Sequence, residues 1–271
     1  MPDPTATPLP GATPWSQVLP ERLARLTGLL TDIDDTLTRD GAIEPEALGA
    51  LRSLSAAGVP VVAITGRPAG WSEPFALAWP VAAIVAENGG VMLRRDAEGR
   101  LRHDYAQAPD ERQRNIARLQ DCAAAVLREV PGATLARDSA GRLTDIAIDH
   151  SEFEHLPPAV IDQVVAVMRA HGLNATVSSI HVNGWIGEHS KWTAAAWAVE
   201  ELVGRSFKPQ DWLYVGDSTN DQLMFERVPL SVGVANIARF WAELRVKPAY
   251  VTAGERGRGF AEVAAALLAA R

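Results

Sequence analysis

Short apolar runs ending in polar turns alternate along this chain with longer stretches whose apolar positions recur every three or four residues. The run "LTGLLTDI", from Leu26, has the make-up of a strand buried on both faces. "EPEALGALRSLSAAG" follows, with Leu48, Leu51 and Leu54 on helical spacing, Pro45 near its start and Gly58 at its close. "VPVVAIT" and "VAAIVAENGG" read as two further buried strands. Strand, helix and strand in alternation predict a parallel, doubly wound sheet.

The pattern then changes. "VMLRRDAEGRLRHDY" reads as a hairpin, "DERQRNIARLQDCAAAVLREV" and "PAVIDQVVAVMRAHG" as helices, and "RLTDIAID" and "ATVSSIHV" as one strand each, with "RDSAGR" as a tight turn. Alternation with a period of two leaves one face of a strand wet, as in an antiparallel sheet with helices on its other face. After this the first style returns. "SKWTAAAWAVEELVG" and "TNDQLMFERV" are helices, "DWLYVG", "LSVGVAN" and "AYVTA" are strands, and "FAEVAAALLAA" is a closing helix. The expected fold is α/β, a Rossmann-like doubly wound parallel core over residues 21–90 and 186–271 with an α+β unit inserted at 91–185. The Pro-rich residues 1–20 are expected to form a mobile tail.

Composition narrows the class of function. Of 271 residues, 47% are apolar and 22% charged, as in ordinary globular proteins. The formal net charge is −7 and no basic run of five residues occurs, which argues against a nucleic-acid partner. Cys122 is the single cysteine, so an internal disulfide and a cysteine-based metal site are excluded. No apolar stretch approaches the ~18 residues that span a bilayer. The N-terminus lacks a basic segment followed by an apolar core, so the expected location is the cytoplasm, with no membrane partner.

In open α/β sheets, ligands bind beyond the carboxyl ends of the strands. Three candidate strands end in reactive chemistry: Asp32-Ile33-Asp34, Thr65-Gly66-Arg67 and Gly216-Asp217. Laid side by side, they would meet at one edge. "DIDDT" packs three carboxylates into four positions, and their repulsion calls for a cation; taken alone, it would also suit a turn in which Asp bonds its own backbone. "STND" likewise suits the start of a helix. Lys191, in the first turn of its helix, opposes the helix dipole, which favours an anionic partner beside it. None of the six histidines has the HExxH spacing of a zinc protease, and "GERGRGF" fits neither common glycine motif and reads as a loop.

In order and spacing, "DIDDT", "ITGRP", "HSKWTAA" and "GDSTND" resemble the four motifs of the haloacid dehalogenase superfamily, and the resemblance runs from about Leu26 to the C-terminus. The large insertion between the second and third motifs resembles the type IIB (C2B) cap of the branch that includes sucrose-phosphate and trehalose-phosphate phosphatases. The resemblance implies a phosphoric monoester hydrolase in which Asp32 is the nucleophile and Asp34 the general acid and base. It further implies Mg²⁺ held by Asp32, the Asp34 main-chain carbonyl, Asp217 and, directly or through water, Asp221, all hard oxygen ligands. Thr65 and Lys191 would grip the phosphate, with Gly66, Arg67 and Asn220 completing the substrate contacts. The cap would read the remainder of a phosphorylated sugar or similar small metabolite. His181 and Asn183, in its strand "SSIHVNGW", are candidates for bonding sugar hydroxyls, and Trp185 for stacking on a ring. Two positions depart from the pattern: Asp35 stands where the family most often has glycine, and Trp192 where a small residue is usual. A phosphosugar mutase and a non-enzymatic phospho-ligand sensor are the alternative readings; a pure sensor need not keep both an acid and a nucleophile.

Overall fold

The computed structural model describes residues 9–271, and the first eight residues of the expected tail lie outside the described residues. In chain order the described strands are β1 (Gly28–Thr31), β2 (Thr38–Arg39), β3 (Ala42–Ile43), β4 (Val61–Ile64), β5 (Ala83–Ala86), β6 (Val91–Arg95), β7 (Leu101–Tyr105), β8 (Thr134–Leu135), β9 (Asp145–Asp149), β10 (Asn174–Val177), β11 (His181–Trp185), β12 (Trp212–Gly216), β13 (Leu230–Gly233) and β14 (Tyr250–Val251). The chain forms two compact units. One is built from the residues up to Ile64 with Ala78–Ala83 and Ala195–Arg271, the other from Thr65–Leu77 and Ile84–Ala194.

The first unit holds five parallel strands in the order β14-β13-β12-β1-β4. Every residue of β1, β4, β12 and β13 is buried, which a parallel sheet requires and the unbroken apolar runs supply. The helix Pro45–Ala56 begins with proline, where a missing N–H costs nothing, and turns Ala47, Leu51 and Leu54 inward. It packs on the closing helix, Arg256–Ala269. That helix starts inside "GERGRGF", which the sequence suggested was a loop. The glycines serve close approach there, since a Cβ on Gly257 would lie 2.8 Å from Glu44 Cβ and 3.0 Å from Ala47 Cβ.

Part of the expected tail is also packed. Pro14 bridges to Val251, and Trp15 is 4% exposed, with its ring edge-on to Tyr250 and its indole N–H donated to the Glu262 carbonyl. An indole buries enough apolar surface to hold a short segment against the sheet.

β1 pairs in parallel with β12 in the register Gly28↔Trp212 to Thr31↔Val215. One step further along, Asp32 donates its backbone N–H to the Val215 carbonyl, so Asp32 and Gly216-Asp217 leave the same end of neighbouring strands. On the other side of β1, β4 ends at Ile64, immediately before Thr65.

In the second unit, β5, β6 and β7 form an antiparallel ladder, and β10-β11-β9-β8 a separate antiparallel sheet. The helices Pro109–Glu129 and Pro158–Ala170 supply Cys122, Val126, Val164 and Met168 to a core shared with Ile148 and Val182. "ATVSSIHV", expected as one strand, is two. Ser178 donates its N–H to the His181 carbonyl, and its hydroxyl oxygen accepts the His181 N–H at 3.0 Å, turning the chain back into β11. Serine competes in this way with a strand ladder, and the polar pair Ser178-Ser179 is where the period-two alternation of "ATVSSIHV" slips by one residue. The α/β fold with an α+β insertion is therefore the observed one. Among the described residues no helix is long and apolar enough to cross a membrane.

Candidate active site

The first unit gathers Asp32, Asp217 and Asp221, all buried, with one carboxylate oxygen of each within 4.8 Å of the others. The sequence folds this way because Gly216 has no side chain: a Cβ there would run into the Asp221 carboxylate. Asp221 uses that space to accept the N–H groups of Asp217 (2.9 Å) and Ser218 (3.1 Å) through Oδ2, and the Tyr214 hydroxyl through Oδ1. Ser218 and Asp221 form a reciprocal capping box at the helix start, so the capping reading of "STND" holds beside its place in the acidic cluster. The Ser218 hydroxyl also donates to Asn220 Oδ1 at 2.9 Å.

Asp217 is the oxygen-rich centre of the cluster. Its Oδ2 accepts from Asn236 Nδ2 at 3.1 Å and Arg239 at 3.2 Å, whereas Oδ1 is buried with no hydrogen-bond partner among the described residues. Burial, and then the neighbouring Asp32 carboxylate, push Asp217 well above the ordinary carboxylate range. A buried carboxylate oxygen without a donor, held against two further carboxylates, is costly unless a cation lies against it. The all-oxygen donor set fits Mg²⁺. Asp34 is half-buried in the turn after Asp32, with the Leu37 N–H closing on the Ile33 carbonyl at 2.8 Å.

Asp35 adopts φ 56°, the left-handed region that favours glycine and that aspartate tolerates. Its carboxylate is paired with Arg256 at 2.7 Å and Arg239 at 2.9 Å. Burial works against its charge, but the two guanidinium groups outweigh it and hold Asp35 below the usual range. Asn236, Arg239 and Arg256 carried no sequence signal of a site; Asn236 only ends the apolar run "LSVGVAN", and Arg256 lies in "GERGRGF", read as a loop.

The second unit holds Thr65, Gly66, Arg67, His181, Asn183 and Lys191. All three carbonyls of the Thr65–Arg67 turn are tied down. Asn88 N–H bonds the Thr65 carbonyl at 2.9 Å, Glu87 N–H the Arg67 carbonyl at 3.0 Å, and both Arg142 (3.0 Å) and Asn183 (3.1 Å) the Gly66 carbonyl. The Thr65 hydroxyl accepts the Arg67 N–H at 3.0 Å. The Arg67 guanidinium, 4% exposed, lies over the Trp71 ring and pairs with Asp138 at 3.2 Å and Glu152 at 2.7 Å. His181 Nε2 lies 2.9 Å from the other Glu152 oxygen. Burial opposes the charge on Glu152, but His181 and Arg67 outweigh it and hold this carboxyl down to about 2. Trp185, expected to stack on a sugar, is buried at 5% exposure with its N–H on the His189 carbonyl. Lys191 is buried and opens the helix Lys191–Val203.

His189, two residues before Lys191, has both ring nitrogens buried without a hydrogen-bond partner among the described residues, and burial pushes it down to about 4. It is therefore neutral in the folded protein. An unfolded chain takes up this proton as pH falls below about 6.5, so the stability tied to the neutral ring is full above that pH and lost towards pH 4. We expect His189→Phe to gain about 2–3 kcal/mol relative to the native chain between pH 7 and pH 4.5. Urea unfolding of both proteins across that range checks this; a constant difference would refute it.

Residues 29–124 match the family model of haloacid dehalogenase-like hydrolases. A phosphoglycolate phosphatase of Methanothermobacter thermautotrophicus is 28% identical over 243 residues, covering 88% of this chain and 96% of the relative. One from Methanoculleus marisnigri is 30% identical over 218 residues, covering 78% of this chain and 85% of the relative. The crystal structure of the sucrose-phosphatase from Synechocystis sp. PCC6803, with sucrose and phosphate, superposes with a TM-score of 0.64 at 18% identity, over 89% of this chain and 98% of that one. The chain belongs to the haloacid dehalogenase-like hydrolases. Within that class it is a phosphoric monoester hydrolase.

Proposed function

We propose that this phosphatase is Mg²⁺-dependent and hydrolyses a phosphorylated sugar or similar small metabolite through an aspartyl-phosphate on Asp32. The observation that carries the reading is the buried trio Asp32, Asp217 and Asp221, with the Asp217 Oδ1 lacking any donor. Asp32, the Asp34 main-chain carbonyl and Asp217 would hold the ion, with Asp221 beside it or ligating through water while its carboxylate also orients the loop that carries Asp217. When bound, Mg²⁺ offsets the charge that would otherwise keep a phosphate away from these carboxylates.

The chain's own residues divide the chemistry. An Asp32 carboxylate oxygen attacks phosphorus in line as the bond to the leaving oxygen breaks, and Asp34 delivers a proton to that oxygen. Asp34 then takes a proton from water, which attacks the same phosphorus, releases inorganic phosphate and restores Asp32. Thr65 and Lys191 hold the phosphate oxygens, the lysine supplying a charge that strengthens as the transition state spreads negative charge over them. Gly66 and Asn220 would complete the phosphate-side contacts, whereas Arg67, expected to join them, has its guanidinium committed to Asp138 and Glu152. The resemblance assigns recognition of the rest of the substrate to the antiparallel sheet β10-β11-β9-β8 and its two helices.

The names of the relatives put 2-phosphoglycolate beside the sugar phosphates in the test. Phosphate release should be followed across such a panel with Mg²⁺ and again after chelation with EDTA. Turnover on one or two compounds, lost on chelation and restored by added Mg²⁺, is the expected result. Equal turnover in EDTA would overturn the metal reading, and Mg²⁺ binding without turnover on any panel member would overturn the substrate reading.

A further inference from the structure

Asp35 stands where the resemblance above would put glycine, and its carboxylate is paired on both oxygens. Its Oδ1 takes Arg256 at 2.7 Å and its Oδ2 takes Arg239 at 2.9 Å. Its carbonyl accepts Asn236 Nδ2 at 2.9 Å, and the same Nδ2 reaches Asp217 Oδ2 at 3.1 Å. Asn236 is fixed in turn, because its Oδ1 accepts the Arg256 N–H at 2.9 Å. Arg239 therefore stands between two carboxylates, Asp35 and Asp217, and touches only the Oδ2 of the latter.

Resting on the Mg²⁺ reading above, we propose that Asp35 is a positioning residue for the metal site, holding Arg239 on the Oδ2 side of Asp217 so that Oδ1 stays open to the cation. The physical need is plain. A guanidinium is a permanent cation with five donors, and 44% of the Arg239 side chain is exposed; besides the two carboxylates it is bonded to the Asn236 carbonyl, at 3.4 Å. Without Asp35, its full charge faces Asp217, where it competes with a divalent ion for the same carboxylate. Arg256, also released, adds a second positive charge nearby. Asn236 keeps Oδ2 occupied in either case, so the orientation of Asp217 does not depend on Arg239.

Glycine is the informative replacement, since φ 56° suits it without strain and only the carboxylate is removed. Mg²⁺ binding should be measured by titration calorimetry on the native chain, Asp35→Gly, Arg239→Gln and the double variant. We expect Asp35→Gly to weaken Mg²⁺ binding about fivefold to tenfold, as removal of one nearby charge would from a divalent ion in partly solvated surroundings. Arg239→Gln should tighten it, and adding Arg239→Gln to Asp35→Gly should restore most of the lost affinity. A role in stability alone cannot produce that rescue, because a second lost ion-pair partner would add damage. Unchanged affinity in Asp35→Gly, or a double variant weaker than both single ones, overturns the proposal. Absence of Mg²⁺ binding by the native chain overturns the metal reading, and the proposal with it.

Discussion

Asp32→Asn is expected to slow phosphate release by about four powers of ten or more while leaving the metal-free protein at least as stable as the native chain. The two halves of this expectation have different origins. The amide oxygen is a poor nucleophile towards phosphorus, so the covalent step is lost, and residues that act as one catalytic unit lose most of their effect when any member is removed. Stability responds the opposite way because Asp32 is buried against Asp217 and Asp221, and its carboxylate raises the cost of ionising Asp217. Removing one charge relieves that repulsion. Single-turnover phosphate release and thermal unfolding in EDTA measure the two halves. A loss of less than tenfold would remove Asp32 from the nucleophile's role, and a large fall in the melting temperature in EDTA would show that the Asp32 carboxylate is held by a stabilising partner that outweighs its repulsion with Asp217.

The second large effect is on stability. Glu87 is fully buried, and its carboxylate accepts the Ala69 N–H at 2.9 Å, the Leu143 N–H at 3.0 Å, and both the N–H and the hydroxyl of Thr144, the latter at 2.6 Å. Two of these partners lie more than fifty residues along the chain, in the segment leading into β9. Glu87→Leu would leave these donors buried and unpaired, at a cost of about 3–5 kcal/mol. Glu87→Gln should cost less but still be destabilising, since its carbonyl can serve one side while its amide N–H₂ faces other donors. Urea midpoints read both variants. A loss below about 1 kcal/mol in Glu87→Leu would mean that water replaces the carboxylate and that the segment is held elsewhere.

Much of this protein could be read from local pattern. Strands buried on both faces need apolar runs, so "LTGLLTDI", "VPVVAIT" and "DWLYVG" announced the parallel sheet, and the charges after them announced where its chemistry lies. Helix starts with proline at the first position were equally plain. The misreadings came where one local signal served two structures. Glycines in "GERGRGF" signal a loop unless a neighbouring helix needs the space, and Glu44 and Ala47 do need it. The hairpin at Ser178 was marked only by the polar pair Ser178-Ser179, a one-residue slip in alternation that also suits a bulge in a single strand. A proline-rich start signals mobility unless a single indole, that of Trp15, finds a place against the sheet.

By itself, the sequence determined the class of fold and the aspartates at the strand ends, because burial and alternation are properties of neighbours along the chain. Tertiary structure alone decided what surrounds them. Asn236, Arg239 and Arg256 reach Asp35 across more than two hundred residues, and Asn236 holds the Oδ2 of Asp217 while Oδ1 has no hydrogen-bond partner among the described residues. His181 and Asn183 alternate as strand residues should, but only the folded unit sets Glu152 against one and the Gly66 carbonyl against the other. Electrostatic partners are chosen by distance in space, and the hydrophobic pattern that folds the chain carries no record of them.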